Sequence, residues 1–183
     1  MACELTTGIS FECNDKIGGI KALYIQQLSD FETGVTLDNT TKKVDGLPEA
    51  TLYKYTAISK LTNNFEETIT NEQNGSLMYT QTVNVQLKKL SQAKQLELDR
   101  LAKNRVVVFV QDRNDAIWMV GRQYGAWLSA RSGATGTEMG DFNGYTLALT
   151  AEEPAPAPEL EAFTAVPFDN FADITVSATV IND

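Results

Sequence analysis

Hydrophobic and polar positions along this chain fall into short alternating runs, with one stretch of helical period among them. The clearest run places Tyr79, Gln81, Val83, Val85 and Leu87 on one side and Thr80, Thr82, Asn84 and Gln86 on the other. A period of two with one apolar side is that of a strand buried on one face and wet on the other. Upstream, Phe65-Glu66-Glu67-Thr68-Ile69-Thr70 is joined to it through Asn74-Gly75. Asn-Gly supplies the positive φ values of a tight turn, so the pair predicts a hairpin.

Arg105-Val106-Val107-Val108-Phe109-Val110-Gln111-Asp112 is continuous rather than alternating, which predicts a central strand covered on both faces. Arg113-Asn114-Asp115 is the turn after it, and Ala116 to Gly121 returns. Tyr124-Gly125-Ala126-Trp127-Leu128 is expected to continue that strand with a bulge near the glycines. Gly133, Gly136, Gly140 and Gly144 mark residues 129–144 as a loop, and residues 145–152 alternate as a last strand. Near the start, Gly18-Gly19 turns into the apolar run Ile20 to Ile25, and residues 52–58 make a further strand.

The helical stretch opens at Ser91, whose hydroxyl can cap the first free N–H groups. Ala93, Leu96, Leu101 and Ala102 recur at roughly helical spacing, Leu98 widens the apolar face, and Asn104 is the stop. Lys88, Lys89, Lys94, Arg100 and Lys103 leave a basic stripe on the remaining surface, as expected of a solvated helix packed on a sheet.

Three segments organise the rest. Residues 30–47 are polar, carry Thr40-Thr41-Lys42-Lys43, and read as a long connection or mobile arm. Pro154-Ala155-Pro156-Ala157-Pro158 is a stiff spacer whose prolines cannot donate sheet hydrogen bonds. Beyond it, residues 173–181 have strand period and can extend the edge of their own sheet or a neighbour's; in an assembly the neighbour is expected. The organisation predicted is a β domain over residues 1–153, a spacer over 154–158 and a strand-forming extension over 159–183. The fold class predicted is mainly β with a minor α component: a β-sandwich or barrel-like domain with one flanking helix near residues 91–104.

At 183 residues and 43% hydrophobic content, there is room for one sizeable core plus an appendage. The formal charge of −9 repels phosphate backbones and leaves sequence-specific nucleic-acid binding without a basic stripe of the required kind. No apolar run is long enough to span a bilayer, and Met1-Ala2-Cys3-Glu4-Leu5-Thr6 has neither the basic start nor the hydrophobic stretch of a secretion signal, so cytosolic synthesis without a membrane partner is expected.

Candidate chemistry is sparse. Cys3 and Cys13 are the only cysteines and histidine is absent, so neither a zinc tetrahedron nor a His-assisted nucleophile can be assembled. The two thiols could close a hairpin near the N-terminus in an oxidising compartment, but without an export signal they are expected to stay reduced. Around Gly133-Ala134-Thr135-Gly136-Thr137 no Gly-Lys-Ser/Thr follows, and the glycines precede a strand rather than open a helix, so neither nucleotide fingerprint fits. Asp141-Phe142-Asn143-Gly144 begins like a calcium loop but lacks its later ligands. Glu66-Glu67 and Glu152-Glu153 are adjacent, and adjacent strand residues point to opposite faces, which does not make the paired carboxylates of a glycosidase. A hydrolase built on Glu66 or Glu152 would need a partner carboxylate brought in by the fold. Trp118, Trp127 and Tyr124 offer an alternative, a carbohydrate-binding β-sandwich with an aromatic platform, although core or interface anchoring suits the tryptophans better. No cofactor, metal or catalytic residue is expected, and the chain reads as a non-enzyme.

The succession Asn74-Gly75-Ser76-Leu77-Met78-Tyr79-Thr80-Gln81-Thr82-Val83, then Leu101-Ala102-Lys103-Asn104-Arg105-Val106-Val107-Val108, then Gly136-Thr137-Glu138-Met139-Gly140-Asp141-Phe142-Asn143-Gly144-Tyr145-Thr146-Leu147 and Glu152-Glu153-Pro154 resembles virion structural proteins of tailed bacteriophages. Residues 1–9 and 15–21 add to the likeness, which covers most of residues 1–160. It is nearest to tail-tube or tail-ring proteins of phages of gut and flavobacterial hosts, including crAss-like phages. The resemblance implies a homo-oligomer, commonly of hexameric rings that stack into a tube, located in the virion tail beside other virion proteins, with DNA passing through an acidic lumen. A ring or adaptor protein of a short tail and a capsid decoration protein belong to the same class. On that reading the contacts between subunits fall on Thr40, Lys42 and Lys43, on Thr135, Gly136, Met139, Asp141 and Phe142, and on Ile174, Val176 and Val180.

Overall fold

A computed structural model describes residues 7–10, 15–56, 63–71, 75–179 and 181. Cys3, Cys13, Asn74, Val180 and the last two residues of the expected strand over 52–58 lie outside these.

Among the described residues eleven strands and one α-helix, besides a single 3-10 turn at Leu28–Asp30, follow in the order β1 (Ile20–Gln27), β2 (Thr36–Leu37), β3 (Val44–Gly46), β4 (Ala50–Thr56), β5 (Asn64–Asn71), β6 (Leu77–Lys88), α1 (Gln92–Lys103), β7 (Val106–Asp112), β8 (Ile117–Val120), β9 (Trp127–Ala134), β10 (Gly144–Glu153) and β11 (Ile174–Val176). They form a five-stranded sheet in the order β11-β4-β1-β7-β8, a four-stranded antiparallel sheet in the order β5-β6-β10-β9, and a small β2-β3 hairpin. The protein is mainly β, a sandwich with one flanking helix, as the alternation predicts.

The two large sheets face each other across the first core. Leu23 and Ile25 of β1 and Val106, Val108 and Val110 of β7 meet Val83 and Val85 of β6 and Leu147 and Leu149 of β10. Alternate residues of the same two strands, Ala22, Tyr24, Val107 and Phe109, point the other way into a second core. Both faces of β7 are therefore covered, and its first six residues are buried. That is the reason its sequence is continuous rather than alternating. The strand sits between β1 and β8, inside the sheet, although the middle strand of the five is β1 rather than β7.

What covers the second face differs from expectation. Residues 30–47 are not a mobile arm: Phe31, Val44 and Leu47 are buried among the second-core side chains. Three apolar residues spaced through a polar stretch carry no period, so composition hid them. The C-terminal extension completes this layer. Leu160, Phe168 and Phe171 are buried there, and Phe168 meets Tyr24 edge-on at 5.0 Å between ring centroids. The proline spacer is packed too: Ala157 is buried, the Met119 N–H donates to the Pro158 carbonyl at 2.9 Å, and the Ala157 N–H donates to Glu67 Oε2 at 2.8 Å. In the single chain β11 adds in parallel to the edge of its own sheet, pairing Ile174–Val176 with Ala50–Leu52.

Two further expectations are corrected. The stretch after β8 does not continue the strand with a bulge. Gly121 and Gly125 both have positive φ, 73° and 74°, and the chain turns a corner from the five-stranded sheet into the four-stranded one. At Gly121 a side chain would also stand 2.5 Å from the Ala126 nitrogen, so the corner requires glycine twice over. The supposed loop over 129–144 begins as strand β9, which runs to Ala134 and pairs with β10. Only residues 135–143 are loop.

Helix α1 begins where the cap predicts, with Ser91 Oγ accepting from Lys94 N at 3.3 Å, and ends at Asn104, whose side-chain amide donates to the Arg100 carbonyl at 2.9 Å. Its buried face is narrower than the spacing implied. Leu98 and Leu101 enter the first core, whereas Ala93, Leu96 and Ala102 are exposed. The helix flanks the sandwich, and two leucines anchor it to the core between the sheets.

Candidate functional site

The four-stranded sheet leaves one face uncovered. With Val83, Val85, Leu147 and Leu149 turned inward, pleating turns Thr80, Thr82 and Asn84 of β6 and Thr146, Ala148 and Thr150 of β10 outward. The register aligns Thr68 with Thr80, Glu66 with Thr82 and Asn64 with Asn84, and Thr150 with Thr82. Side chains knit these rows together: Asn84 Nδ2 donates to Asn64 Oδ1 at 3.0 Å, and Thr150 Oγ1 donates to Ser129 Oγ at 2.8 Å. The result is a polar face, rich in threonine and asparagine, with Glu66 and Glu152 the charged residues in these three rows.

Its two edges are open. Among the described residues β5 pairs only with β6, and β9 only with β10. Every residue of β9 from Ser129 to Ala134 is exposed. Unpaired, exposed edges are templates for another strand.

At one end of this sheet the β9-β10 loop is braced rather than slack. Asp141 Oδ2 accepts the N–H groups of Thr137 and Glu138 at 2.8 and 2.9 Å, and these hydrogen bonds hold its carboxyl below the ordinary carboxylate range. Gly136 takes φ 76°. Met139 is held fully in solvent at the tip, while Phe142 is half-buried.

At the other end lies an open groove of about 360 Å³ lined by Leu77, Met78, Arg105, Tyr124, Trp127, Glu152, Glu153 and Pro154. Glu153 is buried and its carboxylate accepts the N–H groups of Gln123 and Tyr124, the latter at 2.9 Å. Those bonds pin the sheet-to-sheet corner. Glu152, its neighbour on the opposite face, is exposed. The Arg105 guanidinium lies 4.5 Å from the centre of the Trp127 ring and donates to the Gly125 carbonyl at 3.4 Å.

The remaining acidic pair is divided in the same manner. Glu67 Oε2 accepts from Gln81 Nε2 at 3.1 Å and from the Ala157 N–H, while Glu66 accepts from Asn64 Nδ2 at 2.6 Å. Buried Gln81, unnoticed as a functional position in the sequence, also accepts the Gly121 N–H at 3.1 Å and so ties corner, spacer and hairpin together. Its signal was a lone amide at an inward position of an otherwise apolar face. Among the described residues no group of three or more acidic, cysteine or histidine side chains is arranged to hold a metal ion.

The aromatic platform is only partly assembled. Tyr124 and Trp127 share the groove, but Trp118 sits on β8 in the other sheet, packed against the first core, and the guanidinium already covers the Trp127 ring.

The residues expected at subunit contacts fall into two places. Thr135, Gly136, Met139, Asp141 and Phe142 are on the braced loop. Thr40, Lys42 and Lys43 lie at the β2-β3 turn and Ile174 and Val176 on β11, both within the layer over the second core. Thr40 and Lys42 are exposed on a turn closed by Asp38, whose carboxylate accepts the Thr40 and Thr41 N–H groups. Lys43 instead pairs with Glu159 of its own extension at 2.9 Å. Ile174 and Val176 are half-buried against the second core. No family model matches the chain, and no curated protein matches it.

Proposed function

We propose that the protein is a self-assembling virion subunit of a tailed bacteriophage, a tail-tube component whose copies join into rings, hexameric by the resemblance, that stack around a channel for DNA. The observation that carries this reading is the four-stranded antiparallel sheet with two unpaired edges and a polar outer face. Its strands alternate in direction, so β9 of one copy set beside β5 of the next continues the antiparallel order without a break. Closed around an axis, such a sheet has no edge left.

The outer face then lines the channel. Threonine and asparagine hydrate well and offer no fixed cation to phosphate, and the formal charge of −9 keeps DNA from adhering. The second face of the five-stranded sheet is closed by the chain's own residues and stays on the outside.

Electron microscopy of the purified protein tests the reading: rings or tubes are expected, with their central opening visible end-on. Thr68→Lys on β5 or Ala130→Lys on β9 places a charge at the edge and should leave folded single subunits by light scattering. A wild-type protein that stays monomeric at high concentration would overturn it, and the number of subunits per ring separates a tube component from an adaptor or decoration protein.

A further inference from the structure

We infer that β9 of one copy joins β5 of the next in a single register, the one that sets Arg131 opposite Glu67 of the neighbouring copy. The inference rests on the ring reading and specifies the contact that closes each ring.

Backbone geometry fixes the phase of the two free edges. The Lys89 N–H donates to the Asn143 carbonyl at 2.9 Å, one step beyond the pairing of Lys88 with Gly144. Odd-numbered residues of β6 therefore turn their backbone groups toward β10, and even-numbered ones toward β5. Carried across the pairings of β5 and β9, the same alternation leaves the groups of Phe65, Glu67 and Ile69 free on one edge and those of Arg131 and Gly133 free on the other. All of these lie on the inward side of the sheet, since Glu67 is level with Gln81 and Arg131 with Leu147. A slip of one residue between copies would turn the next polar face inward, so only slips of two compete.

Charge chooses among them. Arg131 is exposed, lies 5.6 Å from the centre of the Tyr145 ring and makes no ion pair among the described residues. Asp99 of α1 is near enough to be stabilised by it, but that carboxylate is held by Lys103 at 2.7 Å. On the other edge Glu67 is exposed. Its Oε2 accepts from Gln81 and Ala157, which leaves Oε1 to a partner. Opposite each other, the two residues form a cross-strand pair of unlike charge. Two residues either way, Arg131 would stand against Phe65 or Ile69 and Glu67 would lose its cation. Backbone hydrogen bonds hold the copies together, and the ion pair specifies where.

Ring closure selects the same register independently. Straight across the sheet, Asn64 leads to Asn84, Ala148 and Ala130, and the Arg131–Glu67 register continues that line to Thr68 of the next copy. Each four-stranded subunit then shifts the line by four residues, one per strand, whatever the number of copies. In closed barrels that ratio tilts the strands by about 36°, inside the usual window of about 35–45°. From strand rise and spacing, a shift of two residues per subunit gives about 19°, far too upright, and a shift of six gives about 46°, at the far limit.

Cross-linking of the full chain, with Cys3 and Cys13 changed to serine, tests the register. Thr68 and Ala130 of adjacent copies would form a non-hydrogen-bonded pair with Cα atoms about 4.5 Å apart, within disulfide reach. Within one chain they lie three strand spacings apart, about 14 Å, so a bond between them joins copies. Chains carrying Ala130→Cys with Thr68→Cys should oxidise to linked multimers on a denaturing gel. Yields should exceed by about tenfold those of Ala130→Cys with Glu66→Cys or with Thr70→Cys, which report the two slips and would stand about 8 Å apart. Rings whose links form best or equally well with Glu66→Cys or Thr70→Cys, or whose copies do not link at all, would overturn the register and leave the ring reading standing. If neither rings by electron microscopy nor links are found, both fail. Arg131→Glu, at an exposed position, should deplete rings while Arg131→Lys keeps them; equal abundance of rings in the two would overturn the ion pair.

Discussion

The ring of Phe168 stands edge-on to that of Phe109, with centroids 5.3 Å apart and planes at 86°. One belongs to β7 and the other to a segment beyond a run of prolines. Their contact makes the C-terminal extension part of the core rather than an attachment to it. Phe168→Ala should accordingly cost about 3–5 kcal/mol, the range for emptying an aromatic site in a close-packed interior. Urea unfolding of the variant measures it, and a cost within about 0.5 kcal/mol of zero, typical of surface changes, would show the extension to be dispensable.

Adjacent glutamates are expected to behave oppositely. Glu153→Gln weakens the acceptor that holds the Gln123 and Tyr124 N–H groups at a buried corner and should destabilise by about 1–3 kcal/mol. Glu152→Gln, on the exposed neighbour, should change stability by no more than about 0.5 kcal/mol. Thermal unfolding of the two variants side by side checks the contrast.

The helix allows a similar comparison between two leucines. Leu98 is buried in the first core and Leu96 is half in water. Leu98→Ala should cost about 2–5 kcal/mol, and Leu96→Ala next to nothing because alanine is the better helix former. If the two cost the same, the helix is rotated from the position described.

Alkaline pH should bear on one tyrosine in particular. Burial pushes the Tyr55 hydroxyl up to about 12, with Glu97 and Tyr53 adding to the rise. The unfolded chain loses that proton near pH 10 and the folded one later, so the unfolded state is favoured as pH rises between the two values. The contribution is fully present below about pH 10 and lost by about pH 12. Tyr55→Phe should flatten the alkaline arm of a melting-temperature profile over that window. An unchanged arm would mean the hydroxyl is not desolvated.

On the acid side, Asp169 is held below the ordinary carboxylate range by hydrogen bonds from the Thr164 hydroxyl and the Ala165, Thr164 and Val166 N–H groups. A lowered folded value means stability present above the unfolded value near 4 and lost as pH falls below it. Asp169→Asn should therefore lower the melting temperature at neutral pH and reduce its dependence on pH below about 4. Equal acid profiles for the two proteins would show that the loop does not hold its carboxylate in solution.

What could be read from the residues alone was whatever depends on local period and local caps. The alternation from Tyr79 to Leu87, the unbroken run of β7 and the Ser91 cap each express a backbone geometry that repeats every two or 3.6 residues, and all three elements stand where they were expected. The same alternation separated Glu66 from Glu67 and Glu152 from Glu153. Contacts between distant segments have no such period. Phe31, Val44 and Leu47 look like strays in a polar connection until Phe109 and Tyr24 are placed beneath them, and Gly121 looks like a bulge until its corner is seen to change sheets. The candidate site was hidden for the same reason. That the β9-β10 loop and the Tyr124-Trp127 groove lie at opposite ends of one sheet follows from the pairing of β10 with both β6 and β9, and the long-range pairing with β6 is decided by which packing buries the most apolar surface, a property of the whole chain and of no window within it.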